Sequence, residues 1–138
     1  MQMDQCGRDK IFYAICDKKD NALELLNNTE NVDFQDKAGY SYLHIAAQSS
    51  FLQAVKKLLK LNCSIDIKDK YGRTPLMIAL SSWDGEDDDV IQVLLAAGAN
   101  VNETADSGVS CMELAKMKGL SQSFKLSNRS HLRFCMYF

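Results

Sequence analysis

Asp69-Lys70-Tyr71-Gly72-Arg73-Thr74-Pro75-Leu76-Met77-Ile78-Ala79-Leu80 decides the fold, because the chain has already spelled it once. The earlier form is Asp36-Lys37-Ala38-Gly39-Tyr40-Ser41-Tyr42-Leu43-His44-Ile45-Ala46-Ala47, with glycines and alanines both displaced by 33 positions. Gly108, Met112, Leu114 and Ala115 return 36 residues later, and Ile11, Ala14 and Ile15 precede Leu43, Ala46 and Ala47 by 32. A period in this range denotes stacked supersecondary units, each burying its apolar face against its neighbours.

The apolar positions inside one unit fix its elements. Leu43, Ile45, Ala46 and Ala47 sit at helical spacing, as do Leu52, Val55, Leu58 and Leu59. Two short antiparallel helices per unit follow, neither long enough to be stable alone. Ala46, Ala79 and Ala115 mark places where neighbouring helices approach closely. Pro75 suits a first helical turn, where its missing N–H costs nothing, and Thr74 before it can cap. Gly39, Gly72 and Gly108 are expected to supply positive φ at a turn between units. Asn62 and Gly98 occupy equivalent helix-ending sites, and both tolerate a left-handed backbone.

With Val93-Leu94-Leu95-x-x-Gly98-Ala99-Asn100-Val101-Asn102 following it, the Thr-Pro-Leu stretch strongly resembles the ankyrin repeat. Asp36–Lys68 matches with Ser41-Tyr42 in place of Thr-Pro and Asn62-Cys63 in place of Gly-Ala. The resemblance implies an all-α ankyrin solenoid of about four helix-turn-helix repeats with short β-hairpin fingers. It covers 1–126 as one domain, with repeats at about 9–35, 36–68, 69–103 and 104–126, followed by an atypical tail at 127–138. It also implies non-catalytic binding of another protein through the finger tips and the concave face of the first helices. Matched residue by residue, that face holds Lys37, Ala38, Tyr40, Gln48 and Ser49, then Lys70, Tyr71, Arg73, Ser81 and Ser82, then Asp106, Ser107 and Val109.

Composition narrows the class of partner. A formal net charge of −2 argues against a general binder of nucleic acid or membrane surface. No apolar run approaches the ~18 residues of a membrane span, and the polar start does not resemble a signal peptide. Five cysteines, an odd number without close pairs, fit a reducing interior, so a cytoplasmic monomer is expected. Cys16, Cys63 and Cys111 read as small buried apolar residues.

Repeat three departs from a plain array. Three extra residues fall in Ser81-Ser82-Trp83-Asp84-Gly85-Glu86-Asp87-Asp88-Asp89, placing five acids in six positions beside the sole tryptophan. These acids either stabilise the N-terminus of the next helix or form a partner-contact loop. In the second case Trp83 anchors while Glu86, Asp87 and Asp88 steer a basic surface. Calcium is set aside because the alternating ligand spacing of a calcium loop is missing. The aromatic, slightly basic stretch from Gly119 to Phe138 is open to three readings: covering the last repeat, remaining disordered, or making a partner or self-association contact.

No constellation for catalysis, metal or cofactor is legible. His44 matches the structural histidine of the Thr-Pro-Leu-His segment, the cysteines lack CxxC spacing, and no phosphate-cradling glycine loop occurs. Two biological roles fit the class: a bacterial immunity protein neutralising a cognate toxin, or a eukaryotic or viral inhibitory adaptor of a transcription factor.

Overall fold

The computed structural model describes residues 3–120. Within them lie seven helices: α1 (Lys10–Cys16), α2 (Ala22–Asn27), α3 (Tyr42–Gln48), α4 (Leu52–Lys60), α5 (Pro75–Ser82), α6 (Asp89–Ala96) and α7 (Cys111–Met117). The first helices of successive repeats form one layer, α1 against α3, α3 against α5 and α5 against α7. The second helices α2, α4 and α6 form the outer layer, and each packs on the inner helix of its own repeat. The stretch after Leu120, with its expected tail at 127–138, lies outside the described residues.

Each inner helix starts on the same device built from different residues. Asp9, Ser41, Thr74 and Ser110 hold extended backbone at the N-cap, and each side chain accepts from the backbone N–H three residues on. That satisfies one of the orphan amides of a helix start and contributes about 1 kcal/mol per cap. The outer helices have no such side-chain cap, so their stability comes from packing. The close-approach alanines are buried as expected: Ala46, Ala79 and Ala115 are 0%, 5% and 0% exposed. Asn62 and Gly98 take φ of 63° and 96°, the shared left-handed helix ending.

Fingers precede the inner helices at Asp4–Arg8, Asp36–Tyr40, Asp69–Arg73 and Ala105–Val109. In each, the first residue's N–H donates to the carbonyl four residues on, and the glycine N–H returns to the first residue's carbonyl. The expected β-hairpins are reduced to these tight turns. Among the described residues pairing amounts to isolated bridges, Gln35 with Ser41 and Thr104 with Ser110. The Asp4–Arg8 finger stands ahead of the repeat start read near Asp9 and obeys the same Asp-x-x-Gly rule.

Repeats one and two are tied by a buried polar contact. The Tyr42 hydroxyl donates to Asp9 Oδ2 at 2.6 Å, while Asp9 Oδ1 caps α1. Both residues are 1% exposed, and the Tyr42 ring stacks on Phe34 with centroids 5.5 Å apart. Burial, and then the Asp9 carboxylate, push the phenol well above its ordinary range. Tyr42→Phe keeps the ring and strips the carboxylate of a donor, so a loss of about 1–3 kcal/mol is expected. Urea unfolding checks this; unchanged stability would show that the hydroxyl contributes nothing.

Candidate functional site

Three backbone hydrogen bonds join the finger tips. The amides of Lys37, Lys70 and Asp106 donate to the carbonyls of Cys6, Ala38 and Tyr71, each at 2.9 Å and each across to the preceding finger. Asp36 and Asp69 stiffen the fingers from within. Asp36 Oδ1 accepts from Ala38 and Tyr40, and Asp69 Oδ1 from Tyr71 and Arg73, at 2.8–3.0 Å. Their second oxygens take Arg8 Nε at 2.9 Å and Arg73 Nε at 2.8 Å. Burial works to raise the Asp69 carboxyl, but the backbone N–H and guanidinium of Arg73 outweigh it and hold it below the ordinary range.

Those carboxylates are buried and consumed internally, so the tips present the opposite charge. Lys37 and Lys70 are exposed, and Tyr71 is 53% exposed. Lys70 Nζ and Arg73 Cζ lie 5.0 and 5.1 Å from the Tyr71 ring centroid, within cation–π reach. Asp106 is exposed on the next tip, and with Tyr71, Arg73, Ala105 and Ser107 it lines a surface hollow of about 360 Å³. Tyr40 behaves differently. Its ring stacks on His44 at 4.9 Å, its hydroxyl donates to Gln48 Oε1 at 2.8 Å, and burial pushes the phenol up to about 12.

The acidic loop stands at the far end of α5 from its finger, about 12 Å away at the helical rise per residue. Six residues, 83–88, join α5 to α6 where three, 49–51, join α3 to α4, so the expected three-residue insertion is present. Ser82, Glu86 and Asp87 are exposed. Trp83 is half-buried with its ring against the core, and its indole N–H is buried with no acceptor among the described residues. Lys118 Nζ donates to the Ser81 and Trp83 carbonyls at 3.1 and 3.2 Å, capping the C-terminus of α5 from the next repeat.

The acidic run reaches the start of α6, with Asp88 at the N-cap and Asp89 in the first turn. Asp88 holds the N-cap position of α6, yet its carboxylate accepts from the Gln92 side chain at 3.1 Å and from no cap amide. Asp84 accepts from the Glu86 amide inside the loop, and Asp87 accepts from the amide of Asp89, the first residue of α6. Asp87, Asp88 and Asp89 bring carboxylate oxygens within 4.8 Å of one another. The charge of Asp87 above all raises the Asp89 carboxyl over its ordinary value. The loop is self-repelling.

The cysteines split by environment. Cys111 is fully buried and Cys63 half-buried, their thiols pushed up by burial to about 11 and about 12. Cys16 is exposed, against expectation, because it falls on the outward side at the end of α1. No described helix is long and apolar enough to cross a membrane.

Stacked helix pairs with hydrogen-bonded fingers define a repeat solenoid. The family described as ankyrin repeats, in three copies, matches residues 11–105, and the chain belongs to it. It is 30% identical over 126 residues to the B-cell lymphoma 3 protein homolog of Mus musculus, covering 87% of this chain and 28% of that protein. Human inversin is 34% identical over 102 residues, 73% of this chain and 9% of inversin. The glycerophosphocholine phosphodiesterase gde1 of Schizosaccharomyces pombe is 33% identical over 97 residues, 8% of its length. The chain thus spans under a third of each of these relatives. Ankyrin repeats generally mediate protein–protein interaction and are generally non-catalytic.

Proposed function

We propose that this chain is a non-catalytic recognition module that holds another protein against its finger tips and concave face. The observation that carries this reading is the amide ladder from Cys6 to Asp106, which fixes the exposed Lys37, Lys70 and Tyr71 and the half-buried Arg73 before any partner arrives. A preset face loses little conformational entropy on binding, and an exposed tyrosine between two cations is the kind of anchor found at interaction hot spots. Gln48 and Ser82 line the concave path between the fingers and the loop. Glu86, Asp87, Asp88 and the Trp83 backbone extend the path for a partner that also carries basic surface. The eukaryotic origin of the relatives named above favours an inhibitory adaptor, acting as a cytoplasmic monomer, over a bacterial immunity protein.

Affinity capture from host lysate tests this with three baits: the native chain, Lys70→Ala/Tyr71→Ala, and Glu86, Asp87 and Asp88 each changed to Ser. The finger variant is expected to bind a stoichiometric partner at least tenfold more weakly, about 1.4 kcal/mol. The loop variant is expected to flatten the salt dependence of association with less effect on affinity. A partner held undiminished by the finger variant would overturn the reading.

A further inference from the structure

The outer layer carries a hollow of its own, away from the fingers. Asn62 and Gly98 end α4 and α6 at one register, so Lys57, Lys60 and Leu61 of repeat two answer to Val93, Ala96 and Ala97 of repeat three. Cations and a leucine are thereby exchanged for a valine and alanines. α4 and α6 pack side by side. Where the alanines stand, the surface drops into a hollow of about 430 Å³ lined by Lys56, Leu59, Val93, Ala96 and Ala97. Leu59 and Val93 are half-buried against the core, and Ala97 is exposed. The hollow lies within the ~300–1,000 Å³ typical of ligand-holding clefts.

Its rim on α4 has one sign. Lys56 and Lys60 are exposed there, and Lys57 is half-buried. None of these lysines is ion-paired among the described residues. Lys57 and Lys60 fall in the last turn, where cations complement the helix dipole. Lys56 lies before that turn and lines the hollow itself. The loop carboxylates stand at the other end of α6: Asp89 precedes Val93 and Ala97 by one and two turns, about 6 and 12 Å along the helix. An apolar floor with a cationic rim is complementary to an apolar side chain flanked by carboxylates.

We propose that the α4–α6 hollow is a second docking site, seating an aliphatic or aromatic side chain from an acidic segment of another protein while the flanking carboxylates pair with Lys56, Lys57 and Lys60. The anchor supplies affinity by burying its apolar surface on Leu59, Val93, Ala96 and Ala97. The carboxylates supply register and encounter rate. A basic segment is refused by the same lysines, since like charges across a contact discriminate as strongly as good contacts attract. The finger face and this hollow lie on different layers, so the site stands whether or not the fingers hold a partner.

Backbone amide shifts of the isotope-labelled full chain locate the contact directly. The probe is an acetylated peptide with a central Leu-Phe pair between runs of glutamate, set against the same peptide with lysines in place of the glutamates. Saturable shifts at Leu59, Val93, Ala96 and Ala97 are expected below about 1 mM acidic peptide, with the lysine peptide about tenfold weaker. Ala96→Lys/Ala97→Leu writes the residues of repeat two into repeat three, so the fold accepts it, and filling the hollow is expected to abolish the shifts at unchanged circular dichroism. Lys56→Gln/Lys60→Gln keeps the hollow and changes only exposed positions. It is expected to weaken binding about tenfold and to flatten its salt dependence. Shifts centred on Lys37, Lys70 and Tyr71 would overturn the proposal, because the fingers would then be reading the carboxylates. So would the absence of saturable shifts, equal binding of the two peptides, or binding undiminished in Ala96→Lys/Ala97→Leu. Co-sedimentation with phosphatidylserine vesicles in place of peptide binding would make the occupant a membrane, and shifts that fade on dilution of the chain alone would make it a second copy; either result sinks the acidic segment. Partner capture through Tyr71 is untouched by these variants, so the two readings fail separately.

Discussion

Gly39→Val is expected to cost about 4 kcal/mol or more and to uncouple the first two repeats from the last two. Gly39 sits at φ +78° on the second finger tip, a conformation that charges an L-residue roughly 1–2 kcal/mol and a β-branched one more. The larger part of the cost is steric. A Cβ there would lie 2.8 Å from the Lys70 amide nitrogen and 2.9 and 3.0 Å from Asp69 Cα and carbonyl carbon. These are backbone atoms of the next finger, and no rotamer change moves them. The two fingers must separate, and the Lys70 amide bond to the Ala38 carbonyl goes with them. Gly108→Val is the matched control: φ is +89° and no heavy atom lies within 4 Å of the added Cβ. It should lose only the backbone strain, about 1–3 kcal/mol. Because a repeat array is stabilised by interfaces between neighbours, Gly39→Val should also separate the urea transition seen by Trp83, in repeat three, from that seen by circular dichroism. Equal losses for both variants with coincident transitions would show that close approach is not what keeps glycine at position 39.

What could be read from the residues is what the stacking constraint repeats. Ala46, Ala79 and Ala115 are small because inner helices touch at that register in every repeat, and Asn62 stands for Gly98 because both adopt positive φ. The Asp4–Arg8 finger was equally present in the letters as Asp4-x-x-Gly7. It escapes notice because no Thr-Pro follows and Asp9 serves as the cap. Side-chain direction is where sequence reasoning runs out. Tyr40 and Tyr71 look alike on paper, but Tyr40 follows its finger glycine and lies on His44, whereas Tyr71 precedes its own and stands at the tip. Insertions carry no register at all. Nothing in Ser81–Asp89 foretold that the Trp83 ring would turn to the core while Lys118, 35 residues on, took its carbonyl.

His44→Ala is expected to be as damaging as the glycine change and to erase a pH dependence as well. His44 is fully buried, and both ring nitrogens are engaged. Nδ1 accepts the Ser41 backbone N–H at 3.0 Å, which leaves the proton on Nε2, and Nε2–H donates to the Arg73 carbonyl at 2.8 Å. One ring thus closes the capping box of α3 and ties repeat two to the third finger. Glu113 closes the equivalent box of α7 through Ser110, with no following finger among the described residues. Removing the imidazole strands two backbone groups at about 1–3 kcal/mol each and opens a cavity, so a loss on the order of 3–5 kcal/mol is expected. The same geometry rejects a second proton, since a protonated Nδ1 would face the Ser41 N–H. Burial lowers the His44 pKa below its ordinary 6.5, against the opposing pull of the Arg73 carbonyl and the Asp69 carboxylate. The unfolded chain therefore binds the proton first as pH falls. The stability His44 provides is fully present above about pH 6.5 and drains away as pH drops from there through the folded value. Melting temperatures between pH 7.5 and 5 should fall in the native chain, and the part of that fall due to His44 should be missing in His44→Ala. A native melting temperature flat across that range would mean that the buried ring accepts its second proton without penalty, and the neutral, doubly bonded assignment would have to go.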